Sequence, residues 1–106
     1  MELTVGERLM ALMILPEQGS FATMRIVHDL RMNLGFDEAE TAEVDLRQTG
    51  EGAEGRVVWD GQKAKPKDIP IGPRGIEVMR KRLEELDKDG KLTVQHLSLC
   101  EKFGLE

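Results

Sequence analysis

Apolar side chains return at three- and four-residue steps along most of the chain and alternate only in its middle, which predicts helices at both ends around a small β element. Thr4 followed by Glu7 is a capping box, the hydroxyl accepting from the N3 amide while the carboxylate returns to the cap amide, so a helix opens here and runs to about Leu15. Val5, Leu9, Met10, Leu12, Met13 and Ile14 nearly surround that cylinder, predicting burial on most sides until Pro16 ends the run. Ser20 caps a second helix with Phe21, Met24, Val27, Leu30 and Leu34 on one stripe and Gly35 at its left-handed end. Asp37 and Glu40 repeat the box pattern and open a short acidic helix through about Glu43.

The period then changes. "EVDLR" (43 to 47) alternates as a half-buried strand does, and "RVVWD" (56 to 60) is the best strand candidate in the chain. "DIPIG" (68 to 72) is weaker and belongs at an edge, because Pro70 has no amide to donate. Asp60-Gly61 signals either a hairpin turn or, with the polar "QKAK" behind it, a wider loop to Ile69. Gly72 and Pro73 suit the N-cap and N1 positions of a third long helix with Ile76, Met79, Leu83 and Leu86 on its stripe, supported by a Glu77–Lys81 pair. After Gly90, Thr93 caps a last helix carrying Val94, Leu97, Cys100 and Phe103.

The expected class is therefore α+β, mostly α: four to five helices with a small antiparallel β-hairpin or three-stranded sheet. The order helix, helix, short helix, hairpin resembles a winged helix. With 106 residues, the expectation is a single domain spanning 1–106.

Charge changes the picture more than composition does. The chain carries a net charge of −5, which repels polyanions at long range unless its basic residues are segregated. They are partly segregated: residues 37 to 55 have a local balance of −6, and residues 56 to 82 one of +5. Two readings follow, solvated faces or a bipolar contact surface. On the second, Asp37, Glu38, Glu40, Glu43 and Asp45 form an acidic protein-contact face, with Trp59 as an amphipathic anchor. The alternative is a nucleic-acid accessory role for the basic segment 56–82 through Lys63, Lys65, Lys67 and Arg74. The third helix of a winged helix would have to enter a groove, and here it reads "FDEAETAEVD", whose acids repel phosphate, so nucleic acid is the weaker partner class.

Candidate chemistry is thin. "ELDKDGKLT" (85 to 93) places Glu85, Asp87, Asp89 and Gly90 at the first, third, fifth and sixth positions of an EF-hand loop, but the twelfth is His96, where calcium requires a bidentate carboxylate. The same letters are explained by a helix ending at a left-handed Gly90 and restarting at Thr93, which is the reading expected here. "GEGAEG" (50 to 55) matches a dinucleotide fingerprint in letters alone: its glycines precede a strand, and two glutamates would face the pyrophosphate, so a flexible loop is expected. His28 and His96 lie in separate helices without a second ligand at metal spacing, and no nucleophile has a base and orienter in recognisable order. The expectation is a non-enzymatic protein with no catalytic, cofactor or metal site. Lone Cys100 reads as a buried small hydrophobe of a reducing cytoplasm, and "LMALMILP" (9 to 16) is too short to span a bilayer and lacks the flanks of a signal segment. The first helix, apolar almost all round, is buried either inside a monomer or at a homodimer interface.

The stretches "LTVGERLMALMILPEQGSFATMRIVHDLR", "RVVWD", "IPIG" and "LEELDKDGKLTVQHLSLCEKF", which cover most of the chain, resemble a family of small uncharacterised proteins encoded by bacteriophages and prophages. Cys100 stands where that pattern has an aromatic. The resemblance implies a phage origin and a host cytoplasm as the place of work, and it carries no active residues over. Together these readings lead to a phage-type protein that binds another protein, such as a host enzyme or defence factor that it modulates.

Overall fold

The computed structural model describes residues 1–49 and 56–105; the "GEGAEG" loop expected at 50 to 55 lies outside them. Five helices dominate: α1 (Val5–Ile14), α2 (Phe21–Leu34), α3 (Glu38–Glu43), α4 (Gly72–Lys88) and α5 (Leu97–Lys102). The strands are β1 (Glu2–Leu3), β2 (Arg47–Thr49), β3 (Arg56–Val58) and β4 (Lys67–Asp68). The class is α+β, mostly α, as expected. The β-hairpin is there as β2 against β3, but β4 does not extend it to three strands. It pairs antiparallel with β1, Glu2 opposite Asp68, a strand the sequence pattern did not announce.

Local cap chemistry explains where the helices start. Thr4 accepts from the Glu7 amide and the Glu7 carboxylate accepts from the Thr4 amide, at 3.1 and 2.9 Å. Ser20 accepts from the Thr23 amide and Asp37 from the Glu40 amide. α4 begins at Gly72, whose φ of +75° no side-chain-bearing residue adopts cheaply, with Pro73 following; the helix thus opens one residue before the expected N1.

The C-terminal ends are held by a nonlocal device. An α-helix leaves its last carbonyls without intrahelical partners. Here arginines from other elements supply three of the missing donors. Arg8 Nε donates to Leu34 O at the end of α2, Arg82 Nε to Ile14 O at the end of α1, and Arg80 Nε to Phe103 O just past α5. A guanidinium also brings positive charge to the negative end of each helix dipole.

The core is formed by Leu3, Ala11, Ile14, Leu15, Val27, Leu30, Leu34, Ile69, Met79, Leu83, Leu99, Cys100 and Phe103, with α2 packed on α4 and α1. Gly75 sets the α2–α4 spacing, since a Cβ there would lie 2.9 Å from Leu30 Cδ2.

α1 is buried on most sides, as expected, with Met13 its one exposed position at 80% and Arg8 among its buried ones at 2%. Several other sequence expectations are corrected. Phe21 is solvent-facing at 80%. Gly35 is extended, with φ of −68°, not left-handed; glycine is needed because a Cβ would approach Arg31 O to 2.9 Å. "EVDLR" is not a strand at its start, because Val44 ends α3 and Asp45 takes φ of +52° in the turn before β2. "DIPIG" pairs only at Asp68, and the Asp60-Gly61 signal resolves as the wider loop, in which Asp60 O accepts from the Lys63 and Ala64 amides. In the last helix the buried set is His96, Leu99, Cys100 and Phe103, while Val94 and Leu97 face solvent. Residues 94 to 96 form a 3-10 turn, which advances 120° per residue in place of 100° and shifts the stripe.

Candidate interaction groove

The acidic and basic blocks meet face to face. Asp37, which caps α3, and Glu40 and Glu43 on it line one side of a cleft of about 400 Å³, and Lys63, Lys65 and Lys67 line the other. Charges placed across a cleft partly neutralise each other's far field, so these six side chains do not act as two separate single-sign surfaces.

Glu40 in particular is turned inward. Its two oxygens are gripped by the Arg8 guanidinium, with Nη2 2.9 Å from Oε1, and Lys67 Nζ lies 3.8 Å from Oε2. Arg8 Nη2 also donates to Gly35 O at 2.6 Å, and the guanidinium carbon sits 3.9 Å from the centroid of Phe36. The Arg8 hydrogen bonds hold the Glu40 carboxyl below the usual carboxylate range, against a smaller opposing effect of burial. Residues 8 and 40 thus tie α1, α2 and α3 together. Of the other acidic candidates, Glu38 is exposed on α3, and Asp45 lies 3.7 Å from the exposed Arg47. Trp59 lies beyond the end of β3, 37% exposed; a Cβ on Gly6 would touch its ring at 3.5 Å. It packs on the start of α1 while keeping one edge in water.

The groups with reactive potential are committed to structure. Burial pushes the Glu7 carboxyl up, but hydrogen bonds from Lys102, the Thr4 amide and Ser98 outweigh it and leave it lowered. The Lys102 ammonium reaches Glu7 at 2.6 Å and Glu2 O at 2.8 Å. Burial, aided by the charge of Asp87, raises the Cys100 thiol, which is packed in the core. His96 Nδ1 accepts from the Thr93 amide at 2.9 Å, so the residue at the twelfth EF-hand position caps a turn. α4 continues through Lys88, which puts Glu85 and Asp87 about 200° apart around a helix, and Glu85 pairs with Arg82. They do not converge on a common ion position.

A different feature stands out. Between α2 and the first turn of α4 runs a half-open groove of about 770 Å³. Phe21, Arg25, Asp29 and Asn33, spaced four apart, form one rim, and Ile26, Leu30 and Ile71 form an apolar floor. Arg74, the fourth basic candidate, borders the groove from α4. Asn33 Nδ2 closes its far end by donating to Pro70 O at 3.1 Å. Arg25 lies 5.9 Å from the centroid of Phe21. Among the described residues no ion pair engages Arg25 or Arg74, in contrast to Arg8 and Arg82. Sequence reasoning assigned Phe21 to the core and passed over Arg25. The signal available was Gly75, since a glycine inside a strongly helical stretch marks a close approach and hence the wall of a groove.

No protein-family model, curated protein or solved structure matches the chain. No helix among the described residues is long and apolar enough to cross a membrane.

Proposed function

We propose that the protein is a non-enzymatic, phage-type binding protein that engages a host protein, an enzyme or defence factor, through the groove between α2 and α4. The observation that carries this reading is an apolar floor flanked by an exposed phenylalanine and two arginines without ion-pair partners among the described residues. Large aromatics and arginines beside an apolar recess are the side chains that dominate binding energy at protein interfaces. The non-enzymatic part is supported by the commitment of Glu7, Glu40, His96 and Cys100 to structural contacts. On this reading the contact surface is the α2–α4 groove and not the acidic helix, whose Glu40 is held inward by Arg8.

The test is a photo-crosslinking amino acid in place of Phe21, irradiated in host lysate, with the Arg25→Glu/Arg74→Glu double variant as control. One host protein captured by the first and absent from the second is expected. Capture of nothing, or an identical set in both, removes the reading.

A further inference from the structure

We infer that the α2–α4 groove receives an acidic amphipathic helix of the partner protein, laid along α2 with its apolar face on Ile26, Leu30 and Ile71 and its carboxylates on Arg25 and Arg74. This rests on the binding reading above and adds the chemistry of what is bound.

Shape favours a peptide segment. The groove is open along one side, so a small molecule in it would keep much of its surface in water, whereas a helix can lie in it and cover its own remaining face with the rest of the partner. The row from Phe21 to Asn33 rises about 18 Å at 1.5 Å per residue, which matches a little over three turns of helix.

Charge favours an acidic one. Three charged side chains border the groove: Arg25, Arg74 and Asp29. The two arginines flank the apolar floor from opposite walls, both exposed and both without an ion-pair partner among the described residues. The first turn of α4 adds amides that no side chain caps, at the positive end of a 17-residue helix. Asp29 sits midway along the α2 rim and sets the register, because an acid opposite it would be repelled. The matching helix carries acids toward its two edges and a neutral or basic residue at the centre. A second copy of the chain is a poorer occupant: its acidic helix α3 is six residues long, under two turns where the groove spans a little over three, and its Glu40 is turned inward to Arg8.

The experiment uses the whole protein and two fluorescein-labelled helical peptides of about fourteen residues, the length of the groove. Both carry leucines at helical spacing and a glutamine at the central position that would face Asp29; elsewhere along the edges of that stripe one has glutamates and the other lysines. Anisotropy titrations should give saturable binding of the glutamate peptide, about tenfold or more tighter than the lysine peptide, since like-charge contacts select against a wrong partner. The Arg25→Glu/Arg74→Glu variant should reverse the preference, and Phe21→Ala should weaken both peptides by about tenfold, as loss of an aromatic anchor does. All three side chains are exposed, so the variants keep the fold, which urea unfolding checks. No saturable binding of the glutamate peptide, equal binding of both, or a preference that survives the charge reversal overturns the inference. Concentration-dependent dimerisation abolished by Phe21→Ala also overturns it, by putting a second copy in the groove. If crosslinking at Phe21 captures a host protein but the glutamate peptide does not bind, the acidic-helix assignment falls and the binding reading stands.

Discussion

Arg8→Met tests whether one buried guanidinium holds three helices together. Methionine keeps the aliphatic stem and removes the charged head, which makes two contacts with Glu40 and one each with Leu34 O and Gly35 O. Glu40, 16% exposed in the intact protein, is then left with Lys67, 3.8 Å away, as its counter-charge among the described residues. Removing one partner of a buried ion pair costs about 3–5 kcal/mol. Two carbonyls at the end of α2 lose donors as well, at about 1–3 kcal/mol each where water cannot replace them. The terms overlap, and Lys67 offsets part of the first, so about 4 kcal/mol is expected. Glu40→Met should cost about 2 kcal/mol, less because Arg8 keeps both carbonyls and the Phe36 ring. The double variant should cost about 3 kcal/mol, giving a coupling of about 3 kcal/mol between the two positions. Urea unfolding followed by the fluorescence of Trp59 reads these values. With a slope of about 1–1.5 kcal/mol per molar, Arg8→Met should lower the midpoint by about 3 M. Arg8→Lys keeps the charge but cannot span the carboxylate and both carbonyls at once, so its midpoint should fall between. A cost under about 1 kcal/mol for Arg8→Met, or a double variant equal to the sum of its singles, would refute the clamp.

Acid should act through the same pair. The Glu40 carboxyl is lowered chiefly by Arg8, and that of Glu7 is lowered despite burial, so both bind protons less readily folded than unfolded. Their contribution is complete above the unfolded value of about 4.3 and is lost as pH falls through the lower folded values. Stability measured by urea from pH 7 down to 3 should drop, and Glu40→Gln should flatten that drop while lowering stability at neutral pH. Gly35→Ala and Gly75→Ala should separate by backbone against side-chain crowding. The first puts a Cβ 2.9 Å from Arg31 O, which cannot rotate away, and should cost about 2–3 kcal/mol. The second meets Leu30 Cδ2 and gains helix propensity, so its net cost in thermal melts should stay near 1 kcal/mol; the reverse order would sink the packing argument. His96→Ala should cost about 1 kcal/mol through the lost Thr93 cap. Calcium at micromolar levels should leave the amide resonances of Asp87, Asp89 and Gly90 unmoved, and a saturable shift would restore the ion-site reading.

What could be read from the letters divides by range. Thr4–Glu7, Ser20, Asp37 and Gly90 act within four residues, and each forms the local contact its type favours. Glu40 shows where such reasoning stops. Its spacing from Asp37 fits a capping box, and its amide does meet Asp37, but its carboxylate goes to Arg8, 32 residues away. A lone arginine inside "GERLMALMIL" was the available sign, because a charge surrounded by apolar positions must find a partner or leave the core. The shifted stripe of α5 has the same origin at smaller scale, since a 3-10 turn changes the angle per residue without changing the composition.

Charge blocks mislead for a related reason. Sign and density are properties of the sequence, but the direction a block faces is set by what its neighbours require. Arg80 and Arg82 fall within the basic segment, yet both have their Nε engaged at helix ends, and Lys67 turns toward Glu40. Among the described residues, Arg25 and Arg74 are cations that no helix end or carboxylate claims, one from a nearly neutral stretch and one from the basic block, joined only by the packing of α2 on α4. Net charge therefore bears on this protein's long-range field and says little about the sign of any one face: an acidic chain can present a locally basic groove once its structural arginines are accounted for.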